Sequence, residues 1–221
     1  MLTMLHGTRG ELRVDVEKEL AAYRYEVFVE ALGWDLPCDR GFERDRFDRD
    51  DTVYVIARDD GGAICGCARL LPTTRPYLLA DAFPELLYET PVPCSREVWE
   101  LSRFSTRTVQ CDGMLTRDQA HARFRIVFAA AARAAMERGA TRLITFTALG
   151  VERILRVVGV HAHRIGPPGV IGGKPSLPLW IELDAQTSNA LDIPPPQRTL
   201  RPRLRRPAEY ARSLALAMSD L

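Results

Sequence analysis

The stretch WELSRF, residues 99–104, decides the fold of this chain and raises a question about two charges. Its Trp, Leu and Phe predict a strand with one or both faces buried, yet it also contains Glu100 and Arg103. Side chains alternate along a regular strand, so these two residues would face opposite sides of the sheet. They therefore need different partners, unless a β-bulge resets the alternation and brings both to one side.

Helices and strands are predicted on both sides of this stretch. Upstream, the pattern predicts an edge strand over 1–7, a helix over 14–33, a charged loop over 33–51, a hairpin over 52–74 and a short helix near 76–87. Downstream, it predicts helices over 117–139 and 150–159 and strands over 141–148, 161–166 and 177–184. The first helix has Asp15 as its predicted cap and an apolar stripe, formed by Val16, Leu20, Tyr23, Val27 and Ala31. This order predicts an α/β (α+β) sandwich with one mixed central sheet flanked by helices.

Length and charge limit the number of domains and the class of partner. A chain of 221 residues that is 46% hydrophobic supports one sizeable core, which we place in a single domain over 1–191. The net charge of +1 argues against a dedicated nucleic-acid-binding protein. Residues 192–221 form a Pro/Arg-rich extension with six arginines and three acidic residues. Two interpretations of it remain open, a flexible segment and a small helix over 208–221.

Cysteine usage and hydropathy indicate the compartment. The five cysteines have no disulfide-scaffold spacing, and the N-terminus lacks the apolar core of a signal peptide. No stretch approaches the roughly 18 apolar residues of a membrane span. We therefore expect a cytoplasmic protein without a membrane partner. The pairs Cys65-x-Cys67 and His161-x-His163 complete no tetrahedral ligand set, so no metal is expected.

The first candidate group lies on and just after the first predicted helix. Arg24 and Phe28 are four residues apart and share one helix face, and Trp34 follows the helix. One interpretation is a solvated arginine beside core aromatics. The other is an aromatic wall with a cation at its rim, which would bind a positively charged, partly apolar ligand.

The second group combines acids of the charged loop with an arginine of the hairpin. Glu43, Asp45 and Asp48 are interleaved with arginines in a stretch that lacks the glycine of a calcium-binding loop. This pattern predicts a charged surface or a lip that binds an ammonium group. Arg69 lies in the second arm of the hairpin, where burial requires a carboxylate or a ligand anion beside it.

Taken in order, these stretches resemble the acyl-homoserine lactone synthases, the LuxI-type autoinducer synthases. The resemblance extends from residue 5 to about residue 185 and leaves out the basic extension. Its motifs are Arg24, Phe28, Trp34, the E-x-D-x-F-D run over 43–48, ARLLPTT over 68–74 and WELSRF. It implies a fold like that of the GNAT N-acetyltransferases, in which a mixed sheet opens between two central strands.

The resemblance also implies a two-step reaction with no cofactor. The amine of S-adenosylmethionine attacks the thioester of an acyl group on acyl carrier protein. The methionine carboxylate then displaces methylthioadenosine and closes the lactone. Glu100 matches the residue that accepts the proton of the amine. The residues that we count as catalytic on this resemblance are Glu100, Arg24, Arg69, Asp45 and Asp48.

Substrate-binding roles follow from the same resemblance. Phe28 and Trp34 would surround the sulfonium, and Arg103 would bind the methionine carboxylate. Glu100 and Arg103 would then lie back to back, Arg103 bracing the pocket and the helix that carries Arg24. The amides around Ser102 to Phe104 would stabilise the oxyanion of the thioester. Phe83 is counted as a further substrate-binding residue. The acyl-chain candidates are Thr147, which matches a position that contacts the third carbon of the chain, and Leu149, Ile154 and Leu155, for which core packing remains the alternative.

Two other functions remain open on the sequence. An acyl-CoA-dependent N-acyltransferase of the same fold would carry an R/Q-x-x-G-x-G/A loop, which residues 105–119 lack. An acidic carrier protein is the better match, and it would bind a basic patch that includes Arg117, Arg123 and the arginines of the extension. The second function is a non-catalytic binding protein, which would have lost Glu100 or the set of Arg24, Phe28 and Trp34, and this sequence keeps them all.

Overall fold

The computed structural model describes residues 2–36, 38–107, 115–171 and 173–195, which form a mixed sheet with helices on both faces. The strands are β1 (Thr3–Thr8), β2 (Cys38–Asp39), β3 (Phe42–Glu43), β4 (Val53–Arg58), β5 (Ile64–Pro72), β6 (Val98–Ser105), β7 (Arg142–Ala148), β8 (Ala162–Arg164), β9 (Gly169–Ile171) and β10 (Lys174–Glu182). The helices are α1 (Val14–Arg24), α2 (Leu78–Ala82), α3 (Arg117–Met136), α4 (Leu149–Val158) and α5 (Ala185–Leu191). A π-helical segment, Tyr25–Ala31, continues α1, and a 3₁₀ turn, Pro84–Leu87, follows α2. The helix predicted over 208–221 lies outside the described residues, and the boundary between 191 and 192 stays a prediction.

The strand order of the main sheet explains where the molecule opens. The order is β1-β4-β5-β6-β7-β10-β8, and β9 pairs with β10. β1 lies at the edge and β4 with β5 forms a hairpin, which confirms both predictions. Among these pairs only β6 and β7 run parallel, and they pair up to Glu100↔Ile144. Beyond that point the two strands part, so the described sheet opens between its central strands as the resemblance implied.

Two layers of helix enclose the sheet. α1 and its π-helical continuation bury Tyr23 and Val27 against Tyr54 and other side chains on one face. α3 packs on the other face, where it contributes Phe128 and a run of alanines to the largest core cluster. The charged loop and α2 lie on the same face as α1, so that face carries the polar groups described below. The predicted sandwich is therefore confirmed.

Two details of the first predicted helix are wrong. α1 begins after Arg13, and Asp15 lies in the first turn, where its carboxylate accepts hydrogen bonds from the Arg13 guanidinium at 2.8 and 3.0 Å. Ala31, the last residue of the predicted stripe, is exposed. The reason is the change to π-helical geometry at Tyr25, because a wider turn rotates all later residues relative to the stripe.

Gly66 allows β5 to approach α3. A Cβ at this position would lie 3.1 Å from the carbonyl oxygen of Ser105 and 3.1 Å from Cγ2 of Val127. Sheet pairing and core packing hold both atoms, so we expect Gly66→Ala to lower the free energy of unfolding by about 1–3 kcal/mol. Denaturant unfolding measures the change. Gly10→Ala is the matched control, because a Cβ there meets no described atom within 4 Å. Equal losses in the two variants would contradict this explanation.

Candidate active site

Strand β6 contains a bulge at Arg103. The φ angle of Arg103 is 49°, and the pairing advances from Ser105 to Ser102 on β6 while it advances by only two residues on β5. The extra residue resets the alternation of side chains. Glu100, Ser102 and Arg103 therefore share one face of the sheet. The bulge interpretation is confirmed, and the expectation that Glu100 and Arg103 lie back to back is wrong.

Glu100 is completely buried at the point where β6 and β7 part. Its Oε1 accepts a hydrogen bond of 2.7 Å from the Leu79 amide, and its Oε2 accepts one of 2.9 Å from the Leu78 amide, both in the first turn of α2. Burial raises the pKa of the Glu100 carboxyl to about 7, although the charge of Arg69 and the two amides favour the ionised form. A carboxyl with this pKa can accept a proton from an amine near neutral pH.

Six charged side chains on the same face form a closed ring in which arginines and carboxylates alternate. In order around the ring they are Arg24, Glu43, Arg103, Asp45, Arg69 and Asp48. The N···O distances between neighbours lie between 2.5 and 3.1 Å, and no member is more than 11% exposed. Each charge thus has two neighbours of opposite sign, which is the condition under which buried ions are tolerated.

The ring joins segments that are far apart in sequence. α1 supplies Arg24, the charged loop supplies the three carboxylates, β5 supplies Arg69 and the bulge of β6 supplies Arg103. Burial opposes ionisation of Asp48, but the charges of Arg24 and Arg69 outweigh it and hold its pKa well below the usual range. Arg24 is therefore neither solvated nor at the rim of an aromatic wall. At the ring positions the loop is not a charged surface either, because these acids turn inward to meet the arginines.

The predicted aromatic pair is formed and lies beside the ring. Phe28 is buried and stacks on the half-buried Trp34, with ring centroids 5.0 Å apart and an angle of 29° between the rings. The cation over both rings is Arg103, whose guanidinium carbon lies 5.7 Å from the Phe28 centroid and 5.8 Å from the Trp34 ring. The pair therefore already faces a cation on one side.

Arg103 and Arg69 differ in which guanidinium nitrogens their contacts within the protein leave unused. Arg103 donates from Nε and Nη2 to Glu43, and from Nη2 also to Asp45, so its contacts in the ring use two of its three nitrogens. The predicted brace between Arg103 and the helix of Arg24 exists, because both arginines bind Glu43. In Arg69, Nε donates to the Ser102 hydroxyl at 3.0 Å, whereas Nη2 is buried and has no hydrogen-bond partner among the described residues.

Phe83 and the acyl-chain candidates do not form a single cluster. Phe83 packs edge-on against Phe146 of β7, with centroids 4.9 Å apart, on the face that carries Glu100. Thr147 is half-buried one position further along β7 and points to the opposite face, where Leu155 is buried in the main core. Leu149 is 41% exposed at the start of α4. Strand β7 itself lies between the two groups, because Phe146 and Thr147 point to its opposite faces.

The structure also places the side chain of Phe104 away from the ring. Because alternation restarts after the bulge, its side chain turns toward α3 and packs against Phe124 and Phe128, at 5.1 and 5.9 Å between centroids. Of the three predicted oxyanion residues, Ser102 and Arg103 have their side chains on the face of the ring. Phe104 can therefore contribute to that face only through its backbone amide.

Sequence reasoning missed three contributors to this site. Glu43 was noted only as a loop acid, although it is the first residue of the E-x-D-x-F-D run and closes the ring between two arginines. Tyr54 donates a hydrogen bond of 2.7 Å to Asp48, and its place in the hairpin gave no sign of this contact. The amides of Leu78 and Leu79 hold Glu100, and only the fold brings them to β6.

The described part of the chain contains no group of three or more side chains placed to hold a metal ion. Instead, Nδ1 of His161 lies 2.6 Å from the Asp184 carboxylate. Within the described ranges, no helix is long and apolar enough to cross a membrane.

The comparisons with known proteins assign this site to a family. The family model described as autoinducer synthase matches residues 10–191. The chain is 52% identical over 197 residues to an acyl-homoserine-lactone synthase of Ralstonia solanacearum, covering 88% of this chain and 95% of that protein. It also superposes on TofI, solved in a ternary complex with an inhibitor and MTA, with a TM-score of 0.77, 48% identity and coverage of 87% and 98%. The fold and site define an acyltransferase. The chain belongs to the autoinducer synthase family, as an acyl-homoserine-lactone synthase that makes a quorum-sensing signal.

Two more distant structures show the fold alone. BjaI, a CoA-dependent acyl-homoserine lactone synthase solved with SAM and isopentyl-CoA, is 23% identical, with a TM-score of 0.71 and coverage of 89% of this chain and 91% of that one. A putative N-acetyltransferase from Lactobacillus plantarum is 21% identical, with a TM-score of 0.53 and coverage of 82% and 98%. The expected GNAT-like architecture is thereby confirmed.

Proposed function

We propose that this enzyme makes an N-acyl-L-homoserine lactone from S-adenosylmethionine and an acyl-acyl carrier protein. In the first step the amine of S-adenosylmethionine attacks the thioester carbonyl, which forms an amide and releases the carrier thiol. In the second step the methionine carboxylate attacks the γ-carbon and breaks its bond to sulfur. The sulfonium leaves as neutral methylthioadenosine, so this step needs no added acid.

The observation that carries this proposal is the position of Glu100. A buried carboxyl with a pKa of about 7 lies where the two central strands part. An acyl group that enters this gap would meet an amine held next to the carboxyl. Glu100 then accepts the proton that the amine must lose, directly or through a water molecule. The other carboxylates of this site, Glu43, Asp45 and Asp48, belong to the ring, where each is paired with two arginines.

The ring and the aromatic pair position S-adenosylmethionine. Phe28 and Trp34 offer ring faces to the sulfonium, which they stabilise without hydrating it. We assign binding of the methionine carboxylate to Arg103, through Nη1, the guanidinium nitrogen that makes no contact in the ring. Arg69 adds Nη2, a buried donor without a hydrogen-bond partner in the described chain. An unsatisfied buried donor is unfavourable, and a carboxylate would relieve it.

The opened edge of β6 can stabilise the thioester oxyanion. Beyond Glu100 the strand no longer pairs with β7 in the described structure. Backbone amides of Ser102 to Phe104 that point toward the gap are therefore open to a ligand. Amides fixed in a strand are preorganised for the negative charge that develops on the carbonyl oxygen.

The acyl donor is assigned from charge. Arg117 and His121 of α3 and Arg153 of α4 line one surface cavity of about 440 Å³, in which Asp118 is the one acidic residue beside the two arginines. α4 follows the open end of β7 directly, so this basic surface lies beside the gap. It fits an acidic carrier protein, and the missing R/Q-x-x-G-x-G/A loop argues against CoA. The alternative donor is an acyl-CoA, since BjaI shares the fold and is CoA-dependent.

One incubation tests the reaction and the donor together. The full chain is mixed with S-adenosylmethionine and either acyl carrier proteins or acyl-CoAs of matched chain lengths, and organic extracts are analysed by mass spectrometry. We expect an acyl-homoserine lactone and an equal amount of methylthioadenosine with the carrier-protein donors. Product from acyl-CoA alone would overturn the donor assignment. Consumption of acyl donor with S-adenosylmethionine intact would overturn the reaction itself.

Trp34→Leu tests the sulfonium site. The substitution keeps an apolar side chain but removes the ring, so we expect the affinity for S-adenosylmethionine to fall about tenfold. Isothermal titration calorimetry measures the dissociation constant. Trp180→Leu is the matched control, because Trp180 is a half-buried tryptophan on β10 that stacks with Arg142. If both variants lose affinity equally, Trp34 has no special role.

A further inference from the structure

Phe47 is a buried aromatic residue between two acids of the ring. It is 3% exposed and lies two positions after Asp45 and one before Asp48. Its amide donates a hydrogen bond of 2.9 Å to the Asp45 carboxylate, and its carbonyl accepts one of 2.6 Å from the Thr52 hydroxyl. The loop that supplies the carboxylates therefore also fixes the backbone of Phe47.

The phenyl group of Phe47 packs beside Glu100. It belongs to a buried cluster with the first turn of α2, whose two amides hold the Glu100 carboxylate. The cluster also contains Leu71 and Ile144, which pair with Glu100 on the two neighbouring strands. Paired residues point to the same face of a sheet, so this cluster surrounds Glu100. Phe47 thus supports the helix turn that covers the carboxylate.

Arg69 lies over the same phenyl group. Its guanidinium carbon is 5.8 Å from the centroid of Phe47, and that of Arg46 is 4.9 Å from the same centroid. A guanidinium in this position is attracted by the ring quadrupole, and a flat face also limits where the group can move. Arg69 is completely buried, so few other positions are open to it. Phe47 therefore helps to place the charge of Arg69.

Two groups that favour ionisation of Glu100 thus pack on one side chain. The charge of Arg69 and the two amides of α2 lower the pKa of Glu100, whereas burial raises it. The other charged or titratable groups that act on Glu100 are Arg103 of β6 and the Tyr77 hydroxyl just before α2. On β7 the neighbour of Glu100 is the apolar Ile144. Displacing Phe47 would weaken the contributions of Arg69 and of α2 together.

We propose that Phe47 is a positioning residue, which holds Arg69 and the first turn of α2 in place around Glu100. Its importance for the reaction rests on the proposed function, in which Glu100 is the base. Core packing alone would make Phe47 equivalent to any other buried phenylalanine. Phe128 represents that case, because it is 1% exposed and lies in the largest core cluster, on the opposite face of the sheet.

Titration of Glu100 in the substrate-free enzyme tests the proposal without requiring activity. The carboxyl carbons of glutamate are labelled with ¹³C, and the resonance that is missing from Glu100→Gln is followed against pH. In Phe47→Leu the ionised form loses support from Arg69 and α2, so we expect the midpoint to rise by about one pH unit. Phe128→Leu makes the same change in the main core and should leave the midpoint unchanged. An unchanged midpoint in Phe47→Leu, or equal shifts in both variants, overturns the proposal.

A second variant keeps the test informative if Phe47→Leu does not fold. Phe47→Met fills more of the original volume but offers no flat face to the guanidinium of Arg69. Its midpoint should therefore also lie above that of the unmodified enzyme, and an unchanged midpoint in this variant counts against the proposal. Thermal unfolding followed by circular dichroism shows that each protein is folded at the temperature of the titration.

The pH dependence of turnover separates this proposal from the proposed reaction. If Glu100 is the base, the rise of turnover with pH should move upward in Phe47→Leu together with the midpoint of the Glu100 titration. A midpoint that moves while the pH dependence of turnover stays unchanged would support the positioning role of Phe47 and overturn the role of Glu100 as the base. If neither moves, the positioning role is wrong.

Discussion

Glu100→Gln is expected to lower turnover by about 100-fold or more while the affinity for S-adenosylmethionine changes by less than about threefold. Glutamine cannot accept the proton of the amine, but it leaves the ring and the aromatic pair in place. Turnover is measured from methylthioadenosine release at saturating substrates, and affinity is measured by calorimetry. An equal loss of binding and turnover would contradict the role of Glu100 as a base.

The variant also changes a structural contact, which the design must separate from catalysis. Both oxygens of Glu100 accept hydrogen bonds from amides of α2, so the amide group of glutamine would face one of these donors. We expect a loss of about 1–3 kcal/mol in the free energy of unfolding. Turnover is therefore compared at a temperature where both proteins are folded. Glu97→Gln, the same change at an exposed residue just before β6, should keep the turnover of the unmodified enzyme.

The pH dependence gives an independent signature of the same group. Only the ionised form of Glu100 accepts a proton, and its raised pKa of about 7 means that this form is lost as pH falls. The turnover of the unmodified enzyme should therefore rise with pH through about 7. In Glu100→Gln this limb should be absent, leaving at most the ionisation of the substrate amine near pH 8. An identical limb in both proteins would assign it to another group.

Arg24→Met is expected to lower the free energy of unfolding by about 3–5 kcal/mol. Methionine fills a similar volume but leaves Glu43 and Asp48 each with one cationic neighbour in a buried environment. Urea unfolding measures the loss. Affinity for S-adenosylmethionine should fall as well, because Arg103 is positioned through Glu43.

The control for this variant is an arginine whose ion pair is exposed. Arg13 binds Asp15 with 81% of its side chain accessible, so Arg13→Met should change the free energy of unfolding by less than about 1 kcal/mol. Arg24→Lys provides a milder change, since it keeps the charge but cannot bind two carboxylates in the same way. Its loss should lie between those of the two methionine variants. Similar losses for Arg24→Met and Arg13→Met would mean that the ring does not act as a unit.

Local sequence patterns were sufficient for most of the fold. The edge strand, the hairpin of β4 and β5 and the helices α3 and α4 follow from periodicity, because each pattern is complete within its own segment. The opening of the sheet and the role of Glu100 came from the resemblance, since spacing alone does not say which strands run parallel. The family and the reaction class rested on several motifs in order.

Features that depend on distant contacts were not predictable from the pattern. Alternation along WELSRF assumes a regular strand, and the bulge at Arg103 breaks that assumption through pairing with β5. The loop acids alternate with arginines of their own segment, which is the pattern of a solvated surface. In the structure the carboxylates instead pair with Arg69 and Arg103, which are up to 60 residues away in the sequence. Glu43 was missed for this reason.

The closed ring has a consequence for how this sequence can change over time. Reversing one of its charges places three like charges in a row, and reversing two neighbours still leaves like charges in contact. Perfect alternation returns only when all six are reversed together, from Arg24 around to Asp48. Every single charge reversal in the ring is therefore strongly unfavourable. We therefore expect the six charges to change sign only together, whereas the exposed arginines of the surface cavity, Arg117 and Arg153, can change one at a time.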